Sequence, residues 1–301
     1  MGSGLTKVAV GHGFDTVKTR MQCSPPGTYR GAVDVLAKIV RNEGILALYK
    51  GATPPAVGWA VIDSVLLGSL HNYRLFLLRH GLTETSPTTN QPRLTLLSHG
   101  IAGLCAGLTS AIVATPVELL KVKLQLQSQK SLANRQFKGP IDCARQIIRT
   151  QGVIGMWSGF TGSLAFRSNF FWMFLSYEGL MRLFSRSTGS PFEISTGMAN
   201  FLSGGLGSFV YWIMAIPADN VKNRMMSYPY PLPYPTSRSA TSLIARPSFL
   251  GVVRQIYTVD GPAGFFRGLG PCLLRAFPVN ASALFVYEGL MTMMGAEKTR
   301  S

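Results

Sequence analysis

One pattern occurs three times along this chain of 301 residues, and it restricts the possible folds more than any compositional property. "GFDTVKTRMQ" begins at Gly13, "PVELLKVKLQ" at Pro116 and "PADNVKNRMM" at Pro217. Each sets an acid two positions after a proline or glycine and a lysine three positions after the acid, giving Asp15 and Lys18, Glu118 and Lys121, Asp219 and Lys222. A second string follows each time: "EGILALYKG" closing at Gly51, "QGVIGMWSG" at Gly159 and "DGPAGFFRG" at Gly268. Between them lies a third echo, "YRG", "FKG" and "FLG", ending at Gly31, Gly139 and Gly251. Landmarks repeated in one order mean three similar structural units.

Each unit is apolar enough to live in lipid. The chain is 47% hydrophobic and only 14% charged, and the stretches Leu94 to Thr115 and Ile194 to Ile216 can each cross about 30 Å of hydrocarbon as a helix. A further apolar segment follows each closing glycine, at 54–78, 160–184 and 271–292. The expectation is six spans, with both termini on one side. Gly103 and Gly107, and Gly204 with Ser208, are small-residue pairs expected to let the odd-numbered spans pack closely. The connectors 83–93 and 185–193 read as surface loops. The Pro- and Tyr-rich insertion at 228–247 reads as an exposed, mobile loop of extended backbone.

A net charge of +16 suggests an anionic partner. The basic residues are scattered without a nucleic-acid-binding signature, so anionic lipid or substrate fits better than nucleic acid. Cys23, Cys105, Cys143 and Cys272 show no ligand spacing, which implies neither metal nor disulfide framework, and no cofactor is implied. No signal peptide opens the chain, and no nucleophile and base or phosphate loop points to an enzyme.

Taken together, the tripled motif and its downstream string resemble the mitochondrial carrier family over essentially the whole chain. The resemblance implies an all-α membrane protein: six transmembrane helices in three tandem repeats (1–82, 94–184, 194–294) with threefold pseudosymmetry. It implies a monomeric solute carrier of the mitochondrial inner membrane, whose cavity opens alternately to cytosol and matrix. In it the matrix gate pairs Asp15 with Lys121, Glu118 with Lys222 and Asp219 with Lys18, braced by Gln22 and Gln125, where the third repeat has Met226. The alternative is that these charges only end helices at the lipid interface. Gly13 departs from the family's proline but also permits a bend. Gly31, Gly51, Gly139, Gly159, Gly251 and Gly268 are implied cardiolipin-binding positions, although Ser158 leaves the second repeat without its basic residue.

Charge in lipid marks a pathway. Arg275, seven residues after Gly268 in "LLRAFPVNA", falls on the family's contact position and resembles the carnitine/acylcarnitine and basic amino acid carriers. Arg167 is a second candidate, with pairing to Glu178 or Glu193 as its alternative. On the second span Gly58 and Trp59 hold the contact position, and Asp63 lies one turn beyond Trp59, buried among apolar residues. An acid with an indole face suits an amine; a bond from Asp63 to a neighbouring helix is the alternative. The expected substrate is a small carboxylate-bearing cation or zwitterion such as carnitine, an acylcarnitine or a basic amino acid, and not a nucleotide. His12 reads as a packing residue. Tyr177-Glu178 and Tyr287-Glu288 match the family's cytosolic gate while "LHNYR" does not, so that gate is expected to be weak. Only twelve residues precede Gly13, roughly 18 Å of helix, so the first span reads as shortened. The corresponding alternative function is a non-transporting structural, lipid-binding or partner-binding member.

Overall fold

A computed structural model describes residues 2–25, 27–85, 92–127, 135–186, 194, 196–228 and 247–275. The first repeat runs α1 (Gly2–Cys23), α2 (Ala32–Glu43), a 3-10 turn (Ile45–Tyr49) and α3 (Thr53–Arg79). The second runs α4 (Leu96–Leu126), α5 (Pro140–Gln151), a 3-10 turn (Val153–Trp157), α6 (Phe160–Arg167) and α7 (Phe170–Ser185). The third has α8 (Thr196–Ser227), α9 (Phe249–Asp260) and a 3-10 turn (Pro262–Phe266), after which residues 269–275 are helical. The same order of long helix, short helix, 3-10 turn and helix therefore recurs.

The repetition extends to packing. Each short helix buries two apolar residues one turn apart, Val35 and Ile39 in α2, Cys143 and Ile147 in α5, Val252 and Ile256 in α9. That spacing puts both on one face, which seats the helix against the foot of its repeat's long helix. Thr95 caps α4, its hydroxyl accepting from the Ser98 N–H at 3.2 Å.

Among the described residues, two helices are long and apolar enough to cross a membrane, Leu96–Leu126 and Met198–Ser227. Both run through their internal proline, Pro116 and Pro217. α3 spans 27 residues, about 40 Å of helix. The sixth expected span lies outside the described residues beyond position 275, as does most of the insertion.

Four expectations change. The 83–93 connector is partly a β-hairpin, β1 (Thr83–Thr85) against β2 (Pro92–Leu94), because Arg182 of α7 ties it down through Glu84 at 2.6 Å and the Leu94 carbonyl at 2.7 Å. The fourth span is interrupted at Ser168 and Asn169, between α6 and α7. Gly103 and Gly107 seat α4 against α6 and α7 of its own repeat and not against another long helix: a Cβ at Gly103 would lie 2.7 Å from the Phe170 carbonyl. Gly204 has no such neighbour among the described residues.

Candidate functional site

The C-terminal thirds of α1, α4 and α8 meet, and there the repeated motif closes into a ring. Lys121 Nζ lies 2.6 Å from Asp15 Oδ2, Lys222 Nζ 3.0 Å from Glu118 Oε2, and Lys18 Nζ 2.7 Å from Asp219 Oδ2. Each bond joins two repeats. Asp219 also meets Lys222 at 3.1 Å and accepts from Gln22 at 3.0 Å and Asn223 at 3.1 Å. Gln125 differs from Gln22: its amide oxygen accepts from the Thr19 hydroxyl at 2.9 Å and its nitrogen donates to Thr16 at 3.1 Å, so it braces α4 against α1. His12 is buried beside it, against the Lys50 carbonyl at 3.0 Å.

Above the ring is a cavity of about 320 Å³ whose walls include Trp59, Asp63, Arg167, Tyr211, Trp212 and Arg275. Arg275 Nη1 donates to Asp15 Oδ1 at 2.7 Å. Arg167 pairs with Glu118 Oε1 at 2.6 Å and not with Glu178, and it donates to the Ser110 hydroxyl at 2.9 Å; Glu193 lies outside the described residues. Asp63 is exposed and lines the cavity, contrary to the expectation of burial among apolar side chains. Gly58 is not among the cavity's lining residues and packs against α4, where a Cβ would meet Val117 Cγ1 at 2.8 Å.

Aromatic rings lie under the cations. Lys121 Nζ sits 5.9 Å from the Trp59 ring centre, Lys222 Nζ 3.9 Å from Phe166, and Trp212 lies 4.6 Å from Lys18 Nζ and 5.4 Å from Arg275 Cζ. Such contacts hold a cation without neutralising it. Among the described residues four acids (Asp15, Asp63, Glu118, Asp219) and five bases (Lys18, Lys121, Lys222, Arg167, Arg275) line the cavity, one more base than acids.

A second set of ion pairs lies below the ring. Arg20 pairs with Glu43, which also binds Lys50 at 2.6 Å; Arg224 meets Asp260 at 2.5 Å, which also binds Arg267 at 3.2 Å. Burial pushes the Glu43 carboxyl up, but hydrogen bonds from Arg20 and Lys50 outweigh it and hold the group below its ordinary range. The second repeat has Gln151 in the acid's place, accepting from Ser158 at 3.2 Å, while Lys123 donates to the Ser227 and Tyr228 carbonyls at 3.0 and 2.8 Å. Sequence reading missed these clasps, although the basic residue two positions after each motif lysine was a visible signal. It also missed Trp212 and Phe166, which carry no local mark.

The closing glycines fit against the ring helices. Gly51 has φ 75°, and a Cβ there would come 2.9 Å from the Lys121 carbonyl. Gly268, at φ 86°, packs on Lys18 and Gln22, and Gly159 on Met225 and Met226. Gly51 and Gly139 share a second cavity of about 510 Å³ with Lys50, Arg135 and Lys138. Gly31 and Gly139 precede α2 and α5, whereas Gly251 lies inside α9, whose cap is Ser248. The third echo of the motif is therefore displaced into the helix. At the opposite end of the bundle, Glu178 pairs with Arg182 at 2.9 Å and the Tyr177 hydroxyl donates to Asn200 at 3.1 Å. Tyr287 and Glu288 lie outside the described residues.

The sequence profile described as mitochondrial carrier protein matches residues 1–81, 92–188 and 195–298. The chain is 32% identical to the human mitochondrial basic amino acids transporter over 301 residues, covering 98% of this chain and 89% of that protein. It is 30% identical to mitochondrial substrate carrier family protein L of Dictyostelium discoideum (96% and 92% covered) and 32% identical to mitochondrial magnesium exporter 1 of Drosophila melanogaster (95% and 89% covered).

Proposed function

The chain belongs to the mitochondrial carrier family, and on that premise we propose that it moves a small carboxylate-bearing cation or zwitterion, such as a basic amino acid or carnitine. It is a multi-pass protein of the mitochondrial inner membrane, and the proposed role is that of a carrier rather than an enzyme. The observation that carries the substrate class is the cavity of about 320 Å³ with Asp63 and Trp59 on one wall and Arg275 and Arg167 on others. Those groups suit a solute that presents an amine to the first wall and a carboxylate to the second. Relatives named as basic amino acid transporters support the same class.

In this reading the ring of Asp15, Lys121, Glu118, Lys222, Asp219 and Lys18 is the matrix gate, six helices enclose the path, and access alternates between the two faces. Pairs that must break each cycle are worth little net, on the order of 1–2 kcal/mol each after desolvation. The cavity beside Gly51 and Gly139 takes lipid phosphate, with Lys50, Arg135 and Lys138 supplying charge. A cavity above a breakable ring favours transport over a purely structural role.

Proteoliposomes containing the full chain, assayed with labelled L-arginine, L-ornithine, L-carnitine, ADP and malate, test the reading. Saturable uptake of one of the first three, lost in Arg275→Ala, is expected. Uptake confined to ADP or malate overturns it.

A further inference from the structure

Tyr211, in α8, lines the cavity of about 320 Å³ with a hydroxyl that has no hydrogen-bond partner among the described residues. The residue is only 7% exposed, and its ring lies among aromatic neighbours, its centre 5.9 Å from that of Phe166, 5.3 Å from Phe170 and 5.3 Å from Trp212. Phenylalanine would make the same ring contacts. Two other tyrosines of the bundle differ: Tyr73 shares a hydrogen bond of 2.9 Å with Thr109, and Tyr177 donates to Asn200 at 3.1 Å. A buried tyrosine ordinarily finds a partner for its hydroxyl. One left open on a cavity wall is free for whatever enters the cavity.

Its place on the wall says which part of a solute it meets. Phe166 immediately precedes Arg167, and Trp212, the residue after Tyr211, has its ring centre 5.4 Å from Arg275 Cζ. Tyr211 thus packs against the chain neighbour of one arginine and beside the indole that faces the other. Both arginines can only donate. The acids nearest them are already engaged, Asp15 by Lys121 and Arg275, Glu118 by Lys222 and Arg167. An ammonium on the carbon beside a carboxylate held here needs an acceptor. The phenol oxygen supplies one, while its own proton can turn to a carboxylate oxygen.

We propose that Tyr211 is a specificity-determining residue for the carried solute: its hydroxyl oxygen accepts a hydrogen bond from an ammonium next to the solute carboxylate, and so selects an α-amino acid over a carboxylate that lacks this amine. This rests on the functional reading above. A site that hydrogen-bonds an N–H of its ligand rejects the analogue without it, because the buried polar group of the site is then left unpaired. The guanidinium groups do not make this distinction, since both solutes carry the same carboxylate. Tyr211 adds a reading of the adjacent carbon.

Titration calorimetry on the purified full chain tests this with L-arginine and 5-guanidinopentanoate, which is the same molecule without its α-amino group. The wild-type chain should bind L-arginine about tenfold tighter than the analogue or more. Tyr211→Phe should bring that ratio to about twofold or less, by weakening L-arginine and sparing the analogue. Tyr73→Phe removes a hydroxyl already bonded to Thr109 and should keep the wild-type ratio. A ratio unchanged in Tyr211→Phe is what a merely structural hydroxyl gives. That result, or an equal fall in Tyr73→Phe, overturns the proposal and leaves the functional reading standing. Should Tyr211→Phe not fold, the wild-type chain decides: a preference for L-arginine of about tenfold upholds the proposal, and equal binding of the two ligands overturns it. Binding of L-carnitine without L-arginine also overturns the proposal alone. A wild-type chain that binds none of L-arginine, L-ornithine and L-carnitine overturns the functional reading and this inference together.

Discussion

Arg275, in the third repeat, donates to Asp15, in the first, at 2.7 Å across 260 positions of sequence. The pair places a candidate substrate residue on an acid of the ring, so the cavity floor and the ring are one electrostatic unit. A perturbation of either is expected to be felt by the other.

A charge reversal tests that unit. Glu118→Lys and Lys222→Glu should each abolish uptake, and combining them should restore only part of it. The lysine introduced at position 118 would face Arg167, and the glutamate introduced at position 222 would face Asp219, which Lys222 also contacts. Adding Arg167→Gln removes one of the two repulsions, so the triple variant should melt at a higher temperature than the double. A double variant no more stable than the singles would show that the ring pairing is wrong.

The clasps below the ring predict unequal repeats. Glu43→Gln and Asp260→Asn each strip a buried carboxylate from two bases and should destabilise by about 1–3 kcal/mol through the donors left unmet. Gln151→Glu places a carboxylate at the matching position of the second repeat and should raise the melting temperature while slowing uptake. Faster amide exchange in α5 than in α2 or α9 is the companion expectation; equal exchange in all three would sink it.

The Glu43 carboxyl is held below its ordinary range, and the sign of its pH effect follows. A depressed folded value means the stabilisation is complete above the unfolded value of about 4.3 and fades as pH falls through the folded one. The melting-temperature gap between wild type and Glu43→Gln should therefore be full at pH 7 and shrink below about pH 4.3. A gap that does not change with pH would assign the effect of Glu43 to packing.

Gly51 and Gly268 differ in what a methyl group would meet. Both have positive φ, so alanine costs roughly 1–2 kcal/mol of strain at either. At Gly51 the obstacle is the Lys121 backbone carbonyl at 2.9 Å, whereas at Gly268 it is the flexible Lys18 side chain at 3.1 Å. Gly51→Ala should lose more uptake and more stability than Gly268→Ala, because only the first must shift α4. Thermal melts and initial uptake rates on the two variants decide the order.

Much of this was legible in the chain because a threefold repeat makes each landmark testify for the others. The acid and lysine spacing located Asp15, Lys18, Glu118, Lys121, Asp219 and Lys222, and hydropathy placed α4 and α8 in the membrane. Spacing failed where the local pattern was imperfect. Gly251 matches Gly31 by motif but sits inside α9, since Ser248 offers a better cap. Gly58 falls on the contact position by spacing, yet Val117 occupies the space before it.

The sequence by itself determined the three-unit plan, the membrane class and the identity of the charged groups, because those depend on residue type and period, which are local. Only the tertiary structure decided which charges meet. Arg167 could have paired with Glu178, Glu193 or a ligand; it lies against Glu118 because α6 packs on α4 at Gly107 and Ser110. Arg275 reaches Asp15 because the end of the described third repeat closes on α1. Ion pairing depends on a few ångströms of separation and on burial, and neither quantity is written in the order of residues.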